Sequence, residues 1–230
     1  MRKRPKERLE DIAEAAIDAF SESGYRRTQM ADVARRLGLS AGALYLYVES
    51  KEALFHLAVM RLCGVPLDAV ATPIRTVPFE TTADLLASRA AQQNSWPSLH
   101  PPAKSRNVRA DLERLGRDLY DTLSGLRRAI WFIDRCAPEI PELDRVYGRN
   151  VRGDLLDQLA DYLLQERRME EPLRAQTLFA ARGAIELIAW AAMHRHRETE
   201  PNRLTGLSDD QIKEVAARSF AAALAPLAGT

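Results

Sequence analysis

The stretch that most constrains this chain runs from Thr28 to Lys51, TQMADVARRLGLSAGALYLYVESK. Thr28 is placed to cap a helix in which Met30, Val33, Ala34 and Leu37 fall at i, i+3, i+4 and i+7, a single apolar stripe. Gly38 ends that helix, because the left-handed conformation common at a helix C-terminus carries no steric penalty for glycine. Ser40 then caps a second helix, with Leu39 before the cap and Leu44 at the fourth helical position able to close as a hydrophobic staple. Ser50 introduces a third helix starting at Lys51. The prediction is two short helices joined by a tight turn, with a third following directly.

A helix, a short glycine-containing turn and a helix are the parts of a helix-turn-helix, whose second helix enters the DNA major groove. The residues of the second helix suit that role. Gly42 sits near its start, where glycine is about 0.5–1 kcal/mol worse than alanine, a loss that makes sense if another backbone must come close. Leu44 and Val48 share an inward face, while Tyr45 and Tyr47 point elsewhere and carry hydroxyls able to reach phosphates or base edges. Lys51 at a helix start opposes the dipole unless a phosphate binds there. Thr28, Gln29, Ser40, Ala41, Gly42, Tyr45, Tyr47 and Lys51 are the candidate DNA contacts. The alternative places Tyr45 in the core and leaves Lys51 merely solvated.

Over residues 6–62 the chain resembles the tetracycline-repressor (TetR) family of transcriptional regulators. The resemblance is carried by Ile12, Ala15, Phe20, Gly24-Tyr25, Thr28, Asp32-Val33-Ala34, Leu37-Gly38-Leu39-Ser40, Gly42, Leu44-Tyr45, Tyr47, Ser50-Lys51 and Leu54-Phe55. Val48 departs from it where an aromatic is usual, and Ala41 where a longer, often basic residue is common. The second departure bears on which operator is read. The resemblance implies an all-α protein: a three-helix DNA-binding domain over 1–62, then a helical effector-binding and dimerisation domain over 63–230. It further implies a homodimer on an inverted-repeat operator, released by a small-molecule effector.

The 230 residues can bury a large core, and the charges nearly cancel to a formal +1, so net charge alone does not announce nucleic acid. Its distribution says more. MRKRPKER opens the chain with Arg2, Lys3, Arg4, Lys6 and Arg8 against Glu7, which is either a basic arm following DNA or a solubilising tail. Cys63 and Cys136 lie far apart without metal-ligand spacing and fit a reducing compartment. Glu10, Asp11 and Glu14 interrupt any secretory apolar core, and the most apolar run, Ala184 to Met193, is short and contains Glu186. These features predict a soluble cytoplasmic protein. No phosphate-binding glycine loop or nucleophile elbow is present, and His194 and His196 diverge on a helix, so neither catalysis, a cofactor nor a metal is expected.

Every other segment reads as helix or connector. The first helix carries Leu9, Ile12, Ala16, Ile17 and Phe20 on one face and ends at Gly24; the fourth packs through Leu54, Leu57 and Ala58 and breaks near Cys63-Gly64-Val65-Pro66. Residues 66–79 form a proline-interrupted connector, followed by a helix from a cap at Thr81-Thr82-Ala83-Asp84 to Ser95. Trp96 to Pro102 is loop. Two helices follow, Ser105 to Ser124 and Leu126 to Cys136, separated at Gly125; a third runs from Pro141 to Arg168 and a fourth from Pro172 to the His194 region. Ser208-Asp209-Asp210-Gln211 is a capping box for the last.

The last two helices are rich in alanine, which lets helices approach closely, so they suit either a four-helix dimer interface or an intramolecular core. The dimer is favoured, with Ile185, Ile188, Val215, Phe220, Ala223 and Leu224 at the interface, because two reading heads gain affinity from half-sites about 34–36 Å apart. Trp96, Tyr120, Trp131, Arg135, Trp190 and His194 are candidates for an effector pocket; aromatics at helical spacing equally serve a core. Two functions follow from these readings: a ligand-responsive regulator, foremost a repressor, or a DNA-binding structural or cell-division factor controlled by a protein partner.

Overall fold

In the computed structural model, residues 5–93, 96, 99, 107–146, 148, 153–164, 171–200 and 204–228 are described. The apolar stripe of Leu9, Ile12, Ala16, Ile17 and Phe20 winds Pro5–Arg27 into α1, interrupted at Gly24, whose φ of 80° only glycine adopts without strain. Then come α2 (Met30–Arg36), α3 (Ala41–Leu44), α4 (Lys51–Leu62), α5 (Phe79–Gln93) and α6 (Val108–Cys136). A 3-10 turn over Ala137–Glu139 leads to α7 (Pro141–Val146), α8 (Asp154–Leu164), α9 (Glu171–Ala192) and α10 (Asp209–Leu224). The chain is all-α. Among the described residues the sole strand-like pairing is an isolated parallel bridge between Val48 and Ile74.

The packing forms two compact units. One unit comprises residues 1–93 and 128–151, the other 94–127 and 152–230. The physical reason is aromatic. Phe20 meets Phe55 edge-on at 5.2 Å and Phe132 at 6.1 Å, Phe55 stacks on Phe132 at 5.0 Å, and Tyr25 reaches Phe79 at 5.3 Å. Residues beyond 62 therefore complete the core of the N-terminal head. Ion pairs reinforce this at the surface: Arg128 bonds Glu14 and Asp18 of α1, and Arg61 bonds Glu14. Burial raises the pKa of Glu14, but the bonds and charges of Arg128 and Arg61 outweigh it and leave the carboxyl below its ordinary value.

The second unit is built by α8, α9, α10 and the first part of α6. Leu112, Leu115, Leu119, Leu159, Leu163, Ile188, Phe220 and Leu224 are buried in it. Gly116 allows the closest approach there, since a Cβ at this position would stand 2.9 Å from Cα of Ala217.

Several local expectations change. Gly125 does not end a helix: α6 runs unbroken through it, since its stripe of large apolar residues outweighs one glycine and nothing crowds that position. Of the expected helix from Pro141 to Arg168, Pro141–Val146 (α7) and Asp154–Leu164 (α8) are helical, while residues 147, 149–152 and 165–168 lie outside the described set. Ser105, Pro97 and Pro102 lie outside it too. α5 begins at Phe79, and the threonine of the expected cap, Thr82, is buried with its hydroxyl 2.9 Å from Nδ1 of His56. Caps at Ser40, Ser50 and Ser208 form as expected, the last as a full capping box with Gln211. Among the described residues no helix is long and apolar enough to cross a membrane.

Candidate nucleic-acid interface

The reading pair is positioned from its start by the turn that ends α1. Thr28 is 2% exposed and does not cap α2; its hydroxyl donates to the carbonyls of Gly24 (2.7 Å) and Ala19 (3.1 Å), leaving the cap to Gln29. Asp32 returns a bond to the Gln29 amide at 3.3 Å. Thr28 is thus corrected from a DNA contact to the lock between α1 and α2. The same turn is held from the other side: Glu139 accepts the Arg26 amide at 2.6 Å, and Arg135 donates to the Ser23 carbonyl at 2.9 Å.

After α2 the chain reverses at Gly38 (φ 65°), with the amides of Gly38 and Leu39 donating to Arg35 and Ala34 carbonyls. Ser40 Oγ accepts the Ala43 amide at 3.1 Å and starts α3, whose helical turns continue to Val48. Leu44 and Val48 are fully buried and orient the helix, so its other side faces out. That side carries Gly42, Tyr45 (48% exposed) and Leu46 (71% exposed). Gln29 and Ser40 are exposed as well, while Ala41 and Tyr47 are partly so. A Cβ at Gly42 would meet only Ser40 Oγ, at 4.0 Å. The packing of the head therefore does not require glycine there.

Lys51 is engaged within the head. Its ammonium donates to the Arg26 carbonyl at 3.0 Å and lies 4.6 Å from the centre of the Tyr25 ring, and burial lowers its pKa. Tyr25 in turn donates to Glu52 at 2.8 Å, and burial followed by that carboxylate pushes its phenol far up. Lys51 joins the start of α4 to the end of α1.

Two surface features escaped the sequence reading. Leu46 is the most exposed apolar side chain of the reading helix; its mark in the sequence was its place between two tyrosines outside the inward stripe. The other is a strap from the proline-interrupted connector. The Ile74 amide donates to the Tyr47 carbonyl (2.8 Å) and the Ile74 carbonyl accepts the Glu49 amide (3.0 Å), while the Glu49 carboxylate accepts from Arg75 and the Thr76 amide. This sets the exposed Arg75 beside the turn that follows α3. No periodicity marks such a strap.

Residues 12–58 match the model of bacterial regulatory proteins, tetR family. The head belongs to the tetR family. Among curated relatives, the fatty acid metabolism regulator protein of Bacillus subtilis (strain 168) is 38% identical over 50 residues, 22% of this chain and 25% of that protein. The uncharacterized HTH-type transcriptional regulator YvdT of the same organism is 33% identical over 70 residues, 30% of this chain and 36% of that one. The chain thus spans about a quarter to a third of the length of the curated relatives it matches. A TetR-like transcriptional regulator from Rhodococcus sp. RHA1 shares the fold over the whole of both chains, at 19% identity and a TM-score of 0.51.

Of the expected pocket residues, Trp131 and Arg135 belong to the first unit and Trp96, Tyr120, Trp190 and His194 to the second. Trp96 and Tyr120 are buried, and the Tyr120 hydroxyl lies 3.5 Å from Arg195. His194 is exposed on a 3-10 turn. Trp190 lines a groove of about 200 Å³ with Leu187, Arg195, Leu204, Leu207 and Val215. The expected interface set also splits. Ile188, Phe220 and Leu224 are fully buried within the unit; Ile185 is partly covered, and Val215 and Ala223 are exposed. The outward face of α9 instead carries Phe179, 84% exposed, with Leu187 and Trp190.

Proposed function

We propose that this chain is a sequence-specific DNA-binding transcriptional regulator, acting as a homodimer on an inverted-repeat operator. The observation that carries the reading is the outward side of the reading pair: Gly42, which the fold does not require, flanked by Ser40, Ala41, Tyr45 and Leu46, with Gln29 and Tyr47 beside them. Backbone amides and hydroxyls there position the helix on phosphates, while Tyr45 and Leu46 reach base edges and thymine methyls. Thr28 and Lys51 hold the geometry from behind. The acidic residues Glu14 and Asp18 of α1 are neutralised by Arg128 and so do not oppose a phosphate backbone.

Dimerisation is supported by the exposed apolar faces of α9 and α10, with Phe179, Leu187, Trp190 and Val215. Repression by occupying a promoter, and release by a small molecule that binds the non-DNA-binding state better, follow the family resemblance. The fatty acid metabolism regulator matches over only 50 residues, too little of the chain to carry its effector class across.

Selection of bound sequences from random duplex DNA tests the reading. Enrichment of an inverted repeat supports a dimeric reader, and a folded protein that enriches no motif overturns it.

A further inference from the structure

The reading helix carries no cation of its own. From Leu37 to Ser50 the chain holds neither lysine nor arginine, and its one charged side chain is the carboxylate of Glu49. Lys51, the next cation, is engaged inside the head by the Arg26 carbonyl and the Tyr25 ring. Cations that neutralise phosphates supply a large share of the affinity of a DNA-binding surface, and a bare carboxylate opposes it. The strap meets both needs. The chain leaves α3, runs through α4 and returns at Ile74, which pairs with Val48 in the parallel bridge. Val48 and Ile74 are both buried. Successive side chains along extended backbone point to opposite sides, so Glu49 and Arg75, each one residue further on, turn outward together. The Glu49 carboxylate accepts from Arg75 and, at 3.0 Å, from the Thr76 amide; the Thr76 hydroxyl donates to Ser50 Oγ at 2.8 Å. Phe79 fixes the far end of the strap, its ring centre 5.3 Å from that of Tyr25 and 6.0 Å from that of Phe55. The pair is uneven: the Arg75 side chain is 81% exposed and that of Glu49 29%. The carboxylate is covered and the guanidinium open.

We propose that Arg75 is a phosphate contact of the DNA-binding surface, aimed by Glu49 and carried to the end of the reading helix by the Val48–Ile74 bridge. This rests on the DNA-binding reading above and adds to it a cation from outside the helix-turn-helix. A helix about 10–12 Å across with its side chains fills a major groove about 12 Å wide. A group held beside the end of that helix therefore stands at the phosphates that bound the groove. The guanidinium has five N–H donors in a rigid fork; the bond to Glu49 engages Nη1 and leaves donors for a second oxyanion. Glu49 thus has two effects, orienting the fork and having its own charge offset before a phosphate comes near. Because phosphates carry no sequence information, Arg75 fixes how the helix sits and not which bases it reads.

The test titrates the full chain against its selected operator and against duplex of random sequence, over about 50–200 mM salt. The variants are Arg75→Ala, Arg75→Lys and the double variant Arg75→Ala/Glu49→Gln. Arg75→Ala should bind both DNAs about eight-fold more weakly per protomer at about 0.1 M salt, with the slope of log K against log salt shallower by about 0.9. Its thermal midpoint should hold, because the side chain is exposed and the bridge is made by backbone. Arg75→Lys should keep the slope, since the charge remains. The double variant separates contact from neutralisation: with no carboxylate left to offset, it should still show the shallower slope of Arg75→Ala. A double variant restored to the slope and affinity of wild type would mean that Arg75 only offsets Glu49, and overturns the proposal. An Arg75→Ala protein whose slope is unchanged overturns it equally. In both cases a wild type that enriches a motif leaves the DNA-binding reading standing, whereas a folded wild type that enriches none overturns the two together.

Discussion

Lys51→Ala separates a residue that touches DNA from one that shapes the surface touching it. The Lys51 ammonium makes two contacts inside the head, the 3.0 Å bond to the Arg26 carbonyl and the approach to the Tyr25 ring at 4.6 Å. A charged hydrogen bond at a half-exposed site contributes about 1.5 kcal/mol, at the low end of its range, and a cation over a partly solvated ring about 0.5–1 kcal/mol. Against these stands relief of the unfavourable charge at the start of α4, about 0.3–1 kcal/mol. The variant should therefore lose about 1.5 kcal/mol, with Ser50 still capping the helix. For a chain of this size that is a fall in Tm of about 3–6 °C. Urea denaturation gives the loss directly, and a salt titration of DNA affinity gives the other half. If Lys51 is a positioning residue, binding weakens while the slope of log K against log salt is unchanged. An unchanged stability with a slope reduced by about 0.9 would mean that the ammonium neutralises a phosphate, and would refute the reasoning.

Two further perturbations address the units separately. Gly116→Ala and Gly125→Ala, both in α6, should shift stability in opposite senses: the first drives a methyl to 2.9 Å from Cα of Ala217 and should destabilise by about 1–3 kcal/mol, the second meets nothing within 4 Å and should stabilise by about 0.5–1 kcal/mol. Urea midpoints of equal sign would contradict the close approach of α6 and α10. In the head, burial lowers the pKa of His56 from its ordinary 6.5, so below that pH the unfolded chain takes up the proton first and stability falls as the pH drops. His56→Gln should flatten the decline between pH 6.5 and 5; a variant that loses stability over that range as steeply as wild type would show that another group is responsible.

The helical class, the capped starts at Ser40, Ser50 and Ser208 and the reading pair were legible because each rests on local chemistry: a cap within three residues, a stripe at helical spacing, a glycine at a reversal. The outward placement of Gly42 and Tyr45 was legible for the same reason. What escaped depends on distant partners. Thr28 is a good N-cap by type, yet two carbonyls of the preceding helix claim its hydroxyl. Nothing near position 51 reveals that the Arg26 carbonyl and the Tyr25 ring await the ammonium, and nothing near 74 reveals a bridge to Val48. Periodicity located the apolar residues of α9 and α10 without saying which stripe faces which neighbour. Ile188, Phe220 and Leu224 lie buried within the protomer, while Val215 and Ala223 are left exposed.

That division bears on how the surface of this protein should be read. Apolar and glycine residues that folding leaves exposed are the candidates for interaction surfaces: in the head Gly42, Tyr45 and Leu46, and in the second unit Phe179, Leu187, Trp190 and Val215. Large apolar side chains at such positions weaken solubility in a lone protomer and gain nothing for its core. Gly42 likewise lowers helix propensity with no crowding to excuse it. On the function proposed above, these two unrelated departures from what a self-sufficient domain needs correspond to two different partners, one polyanionic and grooved, the other a copy of the chain itself. An Ala at position 42 tests the first directly: the head should gain stability by about 0.5–1 kcal/mol while losing DNA affinity. If affinity is kept, the glycine serves neither fold nor DNA, and the outward side of the reading pair would have to be reassigned.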